Sequence, residues 1–332
     1  MDSLTQIVLG AAVGEAVLGK KVGNKAMLYG AIAGTIPDLD VLAKQFTDTT
    51  RALEMHRGFT HSIIFSVVFA PVFGWLVSRY ESYKDFKGWS WLFFWAFITH
   101  PILDAHTTWG TQLFWPFDLR LAFKTIFVID PIYTVPFLVF LILALRQKRT
   151  SKKRHVFNTI GLAISTVYLA LTFLLKWIAF SQFEDALKDQ NISYSEIQTR
   201  PAPFNTVLWS ANVERENDYL MGNYSFFDTQ PIEFHRYPKN HELLRALRKD
   251  ESVQRMIAIS KGWYTISQEE GILYFNDLRF GLLSMEPNAK NFVFKYKIDV
   301  NSSGKVIFKE EPKDRRDAQK LISDLWKRIK GN

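Results

Sequence analysis

Apolar positions are spread unevenly along the chain. They form long runs in the first half and alternate with polar positions in the second. Four runs, residues 60–78, 89–106, 126–145 and 156–180, are long enough to span, or nearly span, about 30 Å of hydrocarbon. The last carries a single charge, Lys176, near one end. Two weaker runs precede them, residues 4–18 with Glu15 inside and 26–42 with Pro37 inside. Both are rich in Gly and Ala, and small residues let helices approach closely, so the pair predicts a tight helical hairpin, spanning or re-entrant. Residues 1–180 are therefore expected to form an α-helical multi-pass membrane domain of about six segments.

Beyond residue 180 the period changes. Residues 181–200 read as a polar connector that begins by continuing the last helix. Segments 204–213, 218–227, 261–268, 271–280, 291–300 and 305–310 alternate and are rich in β-formers, which predicts strands. Segments 242–250, 251–259 and 317–329 read as helices. The expectation for 181–332 is an α+β soluble domain with an antiparallel sheet. It shows no catalytic cluster, so a lid, substrate-recognition or partner-binding role is expected, or none beyond a globular appendage.

Charge placement orients the first half. The loops at 20–25, 79–88 and 146–155 hold twelve Lys or Arg, and the intervening loops hold five. The twelve-residue side should be cytoplasmic. That places the N-terminus, and everything after residue 180, outside the cytoplasm. The opening has no basic start, carries Asp2 and runs straight into a second apolar segment, so it is not expected to be a cleaved signal peptide. The net charge of +8 is then the flank of membrane helices. Trp75, Trp89, Trp91, Trp109, Trp115 and Trp177 fall near segment ends, as interface anchors do. Neither feature calls for a nucleic-acid partner; membrane lipids are the expected neighbours.

The chain has no Cys, so a metal has to be held by His and carboxylates. His56, His61, His100 and His106 occur close together in sequence, with Asp38, Asp40 and Asp104 nearby. The charge-derived topology brings all seven to the outer face. Imidazole and carboxylate suit Zn²⁺, with Mn²⁺ or Fe²⁺ as alternatives. Seven donors exceed the needs of one ion, so one or two are expected. Ionisable groups at membrane depth are costly and therefore point to function.

Each motif also has a plain structural reading. Thr60 can cap the helix after HRGFTHS, and Asp38 or Asp40 can cap the next element. His100 and Asp104 lie four apart on one helical face, although Pro101 threatens a kink. Asp130-Pro131 reads as a turn, and Asp118 faces outward too. Glu15 reads as a partner to the cluster or as a packed, protonated carboxyl, and Asp2 and Gln6 reach the same face. His155, His235 and His241 read as surface residues. GAIAG at 30–34 reads as helix-packing glycine, and no P-loop, nucleophile elbow or dinucleotide fingerprint is present.

The stretches DSLTQIVLGAAVGEAVLG, GAIAGTIPDLD, HRGFTHS and HPILDAHTTWG, in that order, resemble the YdjM-type inner-membrane proteins, described as predicted metal-dependent hydrolases. The resemblance covers roughly residues 1–180. It implies a multi-pass protein of the inner (plasma) membrane with a hydrolytic metal site. The matching positions are Asp38, Asp40, His56, His61, His100 and Asp104. Thr5-Gln6 stands where many members have Thr-His, which leaves this chain one donor fewer or makes use of Asp2. The family is distantly similar to zinc-dependent phospholipase C, an analogy that favours phosphoester substrates.

The expected function is a membrane-bound metal-dependent hydrolase. Water activated by the metal would cleave a phosphoester or ester of a lipid or lipid-linked substrate at the outer membrane face. The metal would be held by His56, His61, His100 and Asp104 with Asp38 or Asp40. Asp40 or His106 would serve as general base, and Arg57 would meet a phosphate oxygen or a lipid headgroup. The alternatives are a non-enzymatic protein with a structural metal and a partner-binding outer domain, or a metal or proton transporter.

Overall fold

Short polar side chains cap the helices of the N-terminal half that start at Ser3, Ile63, Phe86 and Pro131, whereas the one that starts after Gly23 has no side-chain cap. In the computed structural model, which describes residues 1–284, 286, 288–302, 304–313 and 318–332, α1 is Ser3–Val22. Asp2 accepts from the Thr5 amide at its start, and Lys20 and Lys21 complement the dipole at its end. α2, Asn24–Thr35, follows after Gly23. A 3₁₀ helix, Pro37–Gln45, continues it at a bend of 41°. α3 is Thr49–Met55, α4 Ile63–Tyr80, α5 Phe86–Asp104, α6 Pro131–Leu145 and α7 Lys152–Asp189.

Two caps differ from expectation. α4 is capped by Ser62, which accepts from the Phe65 amide, and Thr60 lies in the preceding turn. Asp130 caps α6 by accepting from Ile132 and Tyr133, with Pro131 at the first helical position, where a missing N–H costs nothing.

The predicted runs all become helices, but their reach is smaller than the six-segment expectation. Among the described residues two helices, α4 and α7, are long and apolar enough to cross a membrane by themselves, and a third is added if α2 and its bent continuation count as one. α6 is apolar but has only 15 residues, because residues 126–130 lead into its cap instead of joining the helix. α1 and α2 are built on Gly and Ala, which pack well but are weakly hydrophobic.

The hairpin of α1 and α2 depends on those small residues. A Cβ added at Gly10 would stand 2.2 Å from the Gly30 carbonyl oxygen, and one at Gly14 2.1 Å from that of Ala26. The two backbones touch, so neither helix has a side chain that can yield. Gly10→Ala is expected to destabilise the protein by about 1–3 kcal/mol through overpacking. The thermal midpoint in detergent measures this, and an unchanged midpoint would refute the close approach. Around the hairpin the core is Leu18, Leu92, Phe93, Phe97 and Phe137, with Trp89 fully buried. Trp89 is thus a core residue donating to the Tyr83 carbonyl, not an interface anchor, and Trp109 is buried too.

The chain divides into two compact units. One comprises Met1–Leu42, Met55–Leu174 and Pro203–Thr206; the other comprises Ala43–Glu54, Leu175–Ala202 and Val207–Asn332. The second unit has two four-stranded antiparallel sheets where one was expected. The first sheet is β1 (Glu196–Pro201), β2 (Leu208–Glu214), β3 (Asp218–Ser225) and β4 (Phe234–Pro238), in that order. The second is β5 (Tyr264–Glu269), β6 (Ile272–Leu282), β7 (Phe292–Val300) and β8 (Val306–Glu310). α8, Glu251–Ile259, and α9, Ala318–Ile329, complete it. The helix expected from residue 317 begins outside the described residues at Asp317.

The C-terminal part of α7 packs Ala179, Phe183 and Leu187 onto Trp209, Ala211 and Val213 of β2. The expected helix at 242–250 is a short 3₁₀ turn, His241–Leu244, followed by turns. Its charged residues leave Leu244 as the one buried side chain of that turn.

Candidate metal centre

Three stretches far apart in sequence meet here. The bend after α2 presents Asp38. The turn Phe59–His61 before α4 presents His61. The end of α5 presents His100 and Asp104, four residues apart on one face, and Pro101 does not interrupt the helix before Asp104. One donor atom from each of the four lies within 4.8 Å of every other.

The spacing is informative. His61 Nε2 is 3.2 Å from His100 Nε2, 3.4 Å from Asp38 Oδ1 and 3.3 Å from Asp104 Oδ2. His100 Nε2 is 3.5 Å from each of the same two oxygens. Donors placed tetrahedrally at roughly 2.0–2.1 Å around one zinc-sized ion stand about 3.3–3.4 Å apart. Buried Asp104 Oδ2 has no aligned hydrogen bond among the described residues, which is what a donor reserved for a cation looks like. The donor set fits one divalent cation. His61, His100 and Asp104 are buried, whereas Asp38 is partly exposed and marks the open side.

The ring orientations are fixed from behind. His100 Nδ1 lies 2.7 Å from the Gly34 carbonyl oxygen. A carbonyl only accepts, so Nδ1 carries the proton and the Nε2 lone pair faces the cluster. His61 Nδ1 lies 3.4 Å from Asp40 Oδ2, with Thr60 Oγ1 at 3.0 Å. Asp40 also pairs its Oδ1 with His56 Nδ1 at 3.0 Å and accepts from the Arg57 amide at 2.7 Å. Arg57 has a left-handed backbone, φ +56, that this bond helps to hold.

Asp40 and His56 therefore stand behind His61 and outside the group of four donors. Burial lowers the His56 imidazole from its ordinary value despite the Asp40 carboxylate, leaving it neutral near pH 7. Asp40→Asn is expected to weaken cation affinity about 10–100-fold while all four donors remain. Competition with a chromophoric chelator reads this directly, and unchanged affinity would remove Asp40's orienting role.

Arg57 is buried, with Nε 3.1 Å from Asp104 Oδ2 and Nη1 donating to Thr107 Oγ1 at 2.7 Å. His106 is turned elsewhere. Its Nδ1 is 3.1 Å from Thr125 Oγ1, and its ring packs against Phe123 and Phe173. None of these contacts is with the four donors. Gln6 reaches the centre, donating to Asp104 Oδ1 at 3.0 Å, and the Met1 amine lies against the same oxygen. Asp2 does not, being the α1 cap. Glu15 is neither a partner of the cluster nor a lone carboxyl, since it forms a buried fork with Arg154. Sequence reasoning missed the Gly34 carbonyl, because a backbone acceptor has no letter, and missed Thr107, although it sits in the HPILDAHTTWG stretch.

The same motif-bearing region decides the family. Residues 1–182 match the YdjM inner membrane protein family. The chain belongs to the YdjM inner membrane protein family. Among similar proteins, the uncharacterized protein YfhP of Bacillus subtilis (strain 168) is 30% identical over 140 residues, covering 40% of this chain and 42% of YfhP. The inner membrane protein YbcI of Escherichia coli (strain K12) is 32% identical over 99 residues, covering 30% of this chain and 57% of YbcI. The chain thus spans about half the length of the curated relatives it matches. No solved structure shows a significant match. All four donors lie within the part matched to the YdjM family.

Proposed function

We propose that this YdjM-family protein is a metal-dependent hydrolase acting on a phosphoester or ester of a lipid or lipid-linked substrate at the outer face of the membrane. The observation that carries the reading is four His and Asp donors, each imidazole nitrogen 3.2–3.5 Å from the other three donor atoms, open on the Asp38 side and flanked by a buried arginine. Zn²⁺ is the ion we favour. When bound it supplies Lewis acidity and an acidified water. His61, His100, Asp104 and Asp38 would hold it. Arg57 would neutralise charge developing on a phosphate oxygen, and its fixed contacts to Asp104 and Thr107 mean little reorganisation is needed. Asp40 would keep the His61 proton on Nδ1. His106, enclosed by Thr125, Phe123 and Phe173, is poorly placed to move a proton at the ion.

A lipid substrate is supported by the loop beside the centre. Thr111 and Leu121 pair across its base, and Gln112 donates to the Arg57 carbonyl. Its tip exposes Phe114, Trp115, Phe117 and Leu119, with Phe117 73% exposed. An apolar tip of this kind suits the acyl region of an outer leaflet. The charge bias of the loops is the support for placing the centre and the C-terminal unit outside the cytoplasm.

Hydrolysis of bis(p-nitrophenyl) phosphate and of a fluorescent phospholipid in proteoliposomes tests the reading. Zinc-loaded protein is expected to turn over, and Arg57→Gln to lose roughly 10²–10³-fold in kcat with its zinc retained. Loaded protein inert on phosphodiesters, phospholipids and carboxylic esters alike would overturn it. One observation favours a second reading, a structural metal in a non-enzymatic protein. Four protein donors can close a tetrahedral sphere, as structural zinc sites do.

A further inference from the structure

The C-terminal unit holds a buried guanidinium, Arg200, without a hydrogen-bond partner among the described residues. Arg200 lies on β1 opposite Ser210 and is 8% exposed. Among the described residues no acceptor takes a hydrogen bond from its guanidinium, and the one carboxylate whose field reaches it is Asp277. Asp277 is already committed. Its oxygens accept from Arg279 Nε at 3.0 Å and Nη2 at 2.6 Å, and Oδ1 also accepts the Arg279 amide at 3.0 Å. Asp277 and Arg279 are each 3% exposed. Among the described residues the hydrogen bonds of the Asp277 carboxylate thus go to Arg279, and Arg200 is left beside it in a nearly dry place.

The backbone leaves room for this arrangement. Gly281 sits at φ +75, where the register of β6 on β7 shifts between Asp277 and Leu282. A Cβ there would stand 2.1 Å from Arg200 Nη2. A side chain at Gly281 would collide with the guanidinium, so the glycine makes room for Arg200 itself. Burial lowers Arg200 to about 10, so it remains charged at neutral pH. A buried charge without a partner is strongly unfavourable, whereas a guanidinium fork matches a carboxylate or phosphate group in two parallel bonds.

We infer that Arg200 anchors a small-oxyanion site in the C-terminal unit, taking a phosphate or carboxylate group on its free fork. The site is independent of the metal centre and of the hydrolase reading.

The test is equilibrium dialysis of the full-length protein in detergent against labelled inorganic phosphate and, separately, labelled acetate. Chloride holds the ionic strength, and EDTA excludes phosphate held through a divalent cation. Saturable binding of one equivalent of either label is expected. Arg200→Gln should weaken it at least about tenfold, as loss of a charge-assisted pair does. Arg236→Gln, an exposed arginine paired with Asp218, should leave it unchanged. Should Arg200→Gln fail to fold, Arg200→Lys decides, because it keeps the charge and loses the fork. Binding of neither label, or binding undiminished in the folded Arg200 variant, overturns the assignment.

Discussion

Replacing His61 and Asp104 together by alanine is expected to take the purified protein from one equivalent of divalent cation to none. Each contributes a buried donor with neighbours 3.2–3.5 Å away, and their loss leaves His100 and Asp38 alone, too few to hold an ion against a chelator. Metal analysis after gel filtration reads the outcome, and unchanged stoichiometry would end the metal reading. Stability should follow. An ion present at about a thousandfold over its dissociation constant stabilises the folded state by roughly 4 kcal/mol, so EDTA should lower the thermal midpoint of the wild type and leave the double variant unmoved. The pH dependence has a definite sign. Coordinating imidazoles have to be neutral, so uptake should fade as pH falls and return as it rises.

That centre was legible in sequence to different depths. Residue type carried the donors: without Cys, a metal needs His and carboxylates, and His100 with Asp104 were readable as one helical face. The division between donor and support was not. Asp38 and Asp40 look alike in TIPDLD, yet they lie two apart in a 3₁₀ helix, where three residues make a turn, so they face differently. Asp38 meets Nε2 of His61 and Asp40 meets its Nδ1. His106 follows Asp104 by only two residues, and the ring goes to Thr125 and two phenylalanines instead.

In the fold, the same limit appears as missing strands. β1 (EIQTRP) and β4 (FHRYP) carry charge and proline and lack clean alternation, so their partners β2 and β3 define them. Apolar runs marked every long helix. They could not say how many cross a bilayer, because close packing of glycines and length in hydrocarbon are different requirements.

Glu15→Ala is expected to cost about 3–5 kcal/mol of stability, the usual loss when one partner of a buried ion pair is removed. Arg154 of α7 reaches into α1 and donates its Nε to Glu15 Oε1 at 2.6 Å, with Nη2 on the other oxygen. Both side chains are at most 5% exposed. Arg154 Nη1 also holds Asn24 Oδ1 at 2.6 Å, so one guanidinium ties the start of α7 to both arms of the hairpin. Gly19, one turn after Glu15, leaves the space into which the carboxylate folds. Without Glu15 the guanidinium stays buried with its charge unmatched. The companion experiment separates charge from shape. Glu15→Leu with Arg154→Met should recover most of the loss, because apolar replacements of similar volume avoid the desolvation that the pair has to offset. Denaturation midpoints in detergent measure both variants. Nine residues of helix, about 13.5 Å, separate Glu15 from Gln6 at the metal centre, so the double variant should retain its cation. A single variant as stable as wild type would show that the pair contributes nothing. A double variant that folds but loses the ion would show that the hairpin's far end governs the donors.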